Sequence, residues 1–418
     1  MAHPSPGDHL PPGALQTLGP AGRGRLHGPV HSPARTADAA ALAQALQATR
    51  TRTLALIEAW YQAAPDRVVP QLPEMNPPLW EWGHVAWFQE WWTVRNRQRH
   101  LGTRSASSGE AFGPSVLPGA DALYNSSEIP HDSRWGLPLP DLARTSQYLA
   151  DVLEMSLANL QAVRDVDEAA TDEALYFWRL ALQHEAMHNE AWVSMAQALG
   201  LALPAACFGR ETPARDARPP ASPDVQIHVP AQVWTLGHSG GGFAFDNELT
   251  AHPVPVAAFD IDPAPVTWAR YLPFVQATGH ALPPHVRCVE GLWQVQRWGQ
   301  WQAMDLHEPV VHVNAHDAQA WCHWAGRRLP TEAEWECAAN TPGFAWGDVW
   351  EWTASDFAPY PGFEAHPYRD YSAPWWHAYR VLRGASAATS AQVVDVRFRN
   401  FYLPQRRDVL AGFRSVAG

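Results

Sequence analysis

The feature that most restricts the fold is a change of hydrophobic period across a Pro-, Ala- and charge-rich stretch, FGRETPARDARPPASPD, at residues 208–224. Before it, apolar residues recur at three-to-four spacing, the period of a helix. After it, short β-branched and aromatic runs such as VQIHV and VWTLG alternate with Gly, Pro, Asn and Asp turns. The chain of 418 residues therefore reads as two domains, each long enough to bury a core. The expected layout is a helical bundle over 37–207, a linker over 208–224 and a loop-rich α+β domain over 225–418. Residues 1–36 carry Pro, Gly and His without the apolar centre of a secretory signal, and read as a disordered leader.

Four helices are expected in the first half. They cover 37–64, a segment from Pro77-Pro78 to Arg97, a segment from Pro138/Pro140 to about Val163, and Thr171 to Gly200. Proline is tolerated in a helix's first turn, which sets the second start. Residues 101–139 read as loop. Four helices with long connections fit a bundle, a scaffold that builds metal sites from facing side chains. In the second half, helices are expected at His316–Gly326 and Thr331–Ala339, the latter opened by the Thr331/Glu334 spacing of a capping box.

The last bundle segment contains His184-Glu185-Ala186-Met187-His188. Residues four apart share a helix face, so the two imidazoles form half of a transition-metal site. Glu190 points nearly the opposite way and makes a poor third ligand. His84 lies amid Trp80, Trp87, Phe88 and Trp91. A lone His among aromatics is ordinarily a hydrogen-bonded core residue, but here a pair elsewhere lacks its partner, and the bundle would bring His84 to it. His100 and His131 are next in line.

A net charge of −12 argues against a nucleic-acid binder. Cys207, Cys288, Cys322 and Cys337 form no CxxC pair, which fits a reducing cytoplasm rather than a disulfide framework. No apolar run reaches the roughly 20 residues of a membrane helix. The 22 Trp residues read first as core bulk, and secondly as an aromatic face for a quaternary ammonium ligand.

The second half resembles the formylglycine-generating-enzyme (sulfatase-modifying factor) domain, a variant of the C-type lectin fold. The resemblance rests on Phe245-Asp246-Asn247-Glu248, Pro265-Val266-Thr267, the run from Arg327 to Glu336, the run from Trp346 to Thr353, Val381-Leu382-Arg383-Gly384 and Gly412-Phe413-Arg414. The first half resembles the DinB-like helical bundle. Together they resemble the ergothioneine-type sulfoxide synthases and the selenoneine synthases. That resemblance implies a non-haem Fe(II) held by His84, His184 and His188, with O2 as co-substrate and room for a structural calcium. Three neutral imidazoles would leave up to three positions open on the metal.

The resemblance further implies hercynine, a trimethylated betaine, as substrate. It puts substrate contacts on Asn400 and Phe401 of Arg399-Asn400-Phe401-Tyr402, and a proton or hydrogen-atom donor on Tyr368 or Tyr371. Relatives that take γ-glutamylcysteine have Gln where this chain has Met187, Asp where it has Tyr402, and two arginines where it has His131 and Arg134. Charged groups for a dipeptide are thus partly missing. The run from Trp346 to Trp376 is more similar to the selenoneine-synthase branch, whose donor is a 1-selenosugar. The alternatives are a thiol donor, cysteine or γ-glutamylcysteine, giving a hercynine sulfoxide, and a non-catalytic lectin-like binding module. With no Cys after Cys337, formylglycine-generating activity itself is not expected.

Overall fold

The computed structural model describes residues 25–66, 68–166, 171–204, 207–208 and 225–418. Helix α1 spans Ala39–Ala63, and its N-cap Asp38 accepts from the Ala41 amide at 2.8 Å. Helix α2 spans Pro78–Gln89, entered through Pro77 and Pro78, whose missing N–H costs nothing in a first turn. A π-helical turn, Glu90–Arg95, carries it on. The stretch expected as loop contains 3-10 turns and a one-turn helix, α3, at Asp121–Tyr124. Helix α4 spans Leu142–Val166. Helix α5 spans Asp172–Leu199, capped by the Thr171 side chain and ended by Gly200 in the left-handed region (φ 68°).

Helix α5 packs on α1 and α2, and α4 packs on both of those. It is buried almost all round, as a helix flanked on two sides must be. Its second flank is the strand-rich half: Glu190 accepts from Trp350 Nε1 at 2.7 Å, Gln183 donates to the Gln392 carbonyl at 2.6 Å, and Gln197 to that of Gln296 at 2.9 Å.

In the strand-rich half, one sheet runs in the order Asn400–Tyr402, Arg380–Gly384, Trp350–Asp356, Ala411–Gly412. Val381 pairs with Phe401 and Leu382 with Asn400, which fixes the register of the Arg399–Tyr402 string. A second four-stranded sheet joins Ile227–Val229, Phe259–Ile261, Val416–Ala417 and Arg327–Arg328. The same half also holds helices α6 (Trp268–Thr278), α7 (Ala315–Trp324) and α8 (Glu332–Ala339), a two-stranded pair and a three-stranded sheet. The capping box forms as expected: Thr331 N donates to Glu334 Oε2 at 2.8 Å, and Glu334 N to Thr331 Oγ1 at 3.2 Å. Helix α6 was not expected, because Pro273 inside it interrupts the sequence signal.

The leader expected through residue 36 is corrected from residue 25 on; residues 1–24 lie outside the described residues. Leu26–His27 pairs with Ala345–Trp346, and buried Arg35 forks onto Glu248 at 2.6 and 2.7 Å. A buried carboxylate demands such a partner, and this one is supplied from far along the chain. The linker expected at 208–224 lies outside the described residues from 209 on. Trp80, Trp82, Trp178, Trp192, Trp268, Trp335, Trp346 and Trp352 are among the largest fully buried side chains, so much of the tryptophan is core bulk. Cys322 and Cys337 are buried core residues, and among the described residues no helix is long and apolar enough to cross a membrane.

Candidate metal centre

Helix α2 offers His84 from its middle, and α5 offers His184 and His188 one turn apart. Their ligand atoms all lie within 4.8 Å of one another. His84 Nδ1 sits 2.8 Å from the Tyr124 carbonyl, which only accepts, so Nδ1 carries the proton and Nε2 is the free donor atom. His188 Nδ1 faces Glu81 Oε2 at 2.5 Å, which turns Nε2 toward His184 Nε2, 3.1 Å away. Phe88 stacks on His184 at 3.6 Å and Trp80 on His84 at 4.9 Å, walling the site with rings.

Burial and the neighbouring His188 hold the His84 imidazole down to about 3, and burial with His188 and His84 holds His184 well below its ordinary value. Both are therefore neutral, the state a metal requires. Burial alone would push Glu81 up, but His188, His84 and Asn76 more than offset it and bring it to about 2. Two imidazoles whose other nitrogens are already bonded, and a third within reach, suit a borderline transition ion. Among the described residues this is the one group of three or more His, Cys, Asp or Glu side chains fit to hold a metal. It includes no carboxylate of the kind calcium takes.

The remaining residues singled out from sequence divide into near and far. Tyr368 lies 4.9 Å from Phe88 and 6.3 Å from His184, ring to ring. The Tyr371 hydroxyl donates to Met187 Sδ at 3.8 Å, and its ring stacks on Phe245 at 4.2 Å. Phe401 stacks on Phe357 at 3.9 Å and meets Tyr371 edge-on at 5.7 Å. Burial raises both tyrosine phenols, so both stay protonated near neutrality. Tyr402, next to Asn400 and under Arg406, is pushed up to about 12 by burial and the Glu190 charge. Arg134 reaches the site's wall, its guanidinium 3.8 Å over Trp80. His131 is instead tied to the Met75 carbonyl at 2.8 Å and rests on Trp135, and exposed His100 is not in the group of three. Glu190 faces away, as its helix position requires: Trp350, Ser386 and Thr389 all donate to its Oε1.

Sequence reasoning missed Glu81 and Asn76. The signal was present, since Glu81 precedes His84 by three and shares its face. It was masked by the surrounding tryptophans.

A helical half that gathers three histidines against a strand-rich half makes a two-part chain with a candidate metal site. The sulfatase-modifying factor enzyme 1-like domain matches residues 215–346 and 343–418. The hercynine oxygenase of Mycolicibacterium thermoresistibile is 31% identical, over 90% of this chain and 94% of that protein. That of Mycolicibacterium smegmatis is 30% identical, over 89% and 97%. The formylglycine-generating enzyme of Streptomyces coelicolor is 29% identical over 40% of this chain and 80% of that protein. The chain belongs to the hercynine oxygenase family.

Proposed function

We propose that the chain is a non-haem iron(II)- and O2-dependent enzyme, on a DinB-like bundle, that forms a carbon–selenium bond between hercynine and a 1-selenosugar with O2 as the oxidant, after which the selenium–sugar bond breaks and loss of the sugar gives selenoneine. The observation that carries the metal half of this reading is the convergence of His84, His184 and His188 within 4.8 Å. Bound iron would supply the redox chemistry with O2 and an open position for the chalcogen.

The chain's own residues would do the rest. The Tyr124 carbonyl and Glu81 aim two of the rings. Phe88 and Trp80 keep water off them. Tyr368, protonated beside His184, holds the proton or hydrogen atom to be given; Tyr371 is one ring farther and already spends its hydroxyl on Met187. Phe401 offers an aromatic ring for a trimethylammonium group, with Asn400 beside it on the same strand.

A neutral sugar donor is favoured by uncharged Met187 and Tyr402, with Arg134 already engaged by Asn76 at 2.8 Å and by Trp80. The second reading is a thiol donor giving a hercynine sulfoxide, favoured by the identity to hercynine oxygenases along most of the chain. The test incubates the full chain with hercynine, Fe(II), air and either selenosugar or thiol, with products read by mass spectrometry. A selenium product is expected. Product from the thiol alone replaces the lead with the second reading, and no hercynine-derived product from either donor removes both.

A further inference from the structure

We infer that Glu81 is a positioning residue for His188, held in that role by Asn76 and Arg134. The inference rests on the metal-site reading above. Glu81 is 3% exposed, and both of its carboxylate oxygens are spent. Oε2 accepts a hydrogen bond from His188 Nδ1 at 2.5 Å, and Oε1 accepts one from Asn76 Nδ2 at 2.5 Å. Each oxygen is thus held by a protein donor, which fixes the orientation of the carboxylate.

The chain of contacts continues. Arg134 Nη1 donates to Asn76 Oδ1 at 2.8 Å, and the Arg134 guanidinium lies 3.8 Å over the Trp80 ring. Trp80 in turn stacks on His84, 8° from parallel. The path from His188 through Glu81, Asn76, Arg134 and Trp80 ends on His84, so it begins and ends on the imidazoles of the site.

Local sequence makes this loop cheap to build. Asn76 stands just before the Pro77-Pro78 entry to α2, and Trp80, Glu81 and His84 follow within its first two turns. Trp80 and His84 are four apart and Glu81 and His84 three apart, which stacks them on one face. Glu81 lies in the helix's first turn, where the macrodipole favours a negative charge.

A carboxylate that accepts from a ligand's outer nitrogen fixes the ring's tautomer and raises its basicity, and its loss typically costs about 10- to 100-fold in metal affinity. The positioning role extends to Asn76, which touches Glu81 and Arg134 but neither imidazole.

Cobalt(II) binding to the metal-free full chain tests this without turnover, because the visible bands report both affinity and ligand field. Wild type is expected to bind one equivalent. Glu81→Gln, which keeps the shape and removes the charge, is expected to bind about 10- to 100-fold more weakly with shifted bands. Asn76→Ala is expected to fall between, its bands also shifted, because Glu81 loses the contact that holds its rotamer. Wild-type affinity and spectrum in either variant overturns the inference. Should Glu81→Gln fail to fold by circular dichroism, Asn76→Ala carries the test alone. Failure of wild type to bind cobalt overturns the metal-site reading instead, and the two failures are thus distinct.

Discussion

In the strand-rich half, the buried Arg414 guanidinium meets both carboxylate oxygens of Glu351, Arg399 meets both of Glu332 at 2.9 and 3.0 Å, and Arg383 reaches Glu336. In the helical half, Arg50 closes in the same way on Glu185, beside His184. The next residues along break the pattern. His84 and His188 spend their outer nitrogens on protein acceptors and turn their inner ones into a shared space. Closed pairs satisfy each other and specify the fold. The histidines satisfy each other only in part, which is how a site prepared for a ligand differs from one prepared for packing.

That contrast can be broken at several points. The largest effect is expected from Glu351→Ala, which strands Arg414 in the core. It should cost about 3–5 kcal/mol in chemical denaturation. A loss within error of zero would mean that the pair is not closed as described.

His84→Ala should do the reverse. It is expected to lower iron or cobalt affinity by more than the roughly 100-fold that outer-shell changes cost, with a smaller loss of stability than Glu351→Ala. Retained affinity would move the third ligand elsewhere.

Tyr368→Phe is expected to lower turnover about 100-fold, the lower range for a positioned proton donor, with metal affinity unchanged. A larger effect in Tyr371→Phe than in Tyr368→Phe would exchange their roles.

The smallest effect concerns two histidines outside the site, buried His312 and half-buried His366. Burial and His285 hold His312 down to about 4, and burial holds His366 down to about 4. An unfolded imidazole titrates near 6.5, so between these values the unfolded chain binds protons that the folded chain refuses. Their contribution is complete above about pH 6.5 and is lost as pH falls toward about 4. The melting temperature of the metal-free chain should accordingly drop between about pH 7 and about pH 5. His312→Asn should flatten part of that drop, since Asn tolerates the left-handed backbone at this position (φ 62°).

The bundle helices and the capping box were legible because periodicity and end signals agree there: α5 begins after Thr171 and ends before Gly200, as read. His84, His184 and His188 came from a spacing on one helix and an unpaired histidine on another. Glu81 and Asn76 were not legible, because their meaning depends on α2 and α5 crossing at one point, which no local pattern records. The order of residues 25–36 was hidden for the same reason. Arg35 is buried only because Glu248 and Asp395 arrive from far along the chain. Helix α6 was lost to a single proline. His131, set beside Arg134 by the resemblance, has its Nε2 on the Met75 carbonyl, a contact that no local pattern records.

The most direct test of the account is iron K-edge X-ray absorption on the anaerobic, Fe(II)-loaded full chain, alongside His84→Ala. One iron per chain is expected, with the scattering pattern of three imidazoles, reduced to two or lost altogether in the variant. A shell dominated by carboxylate oxygens, or a spectrum unchanged by His84→Ala, would contradict it.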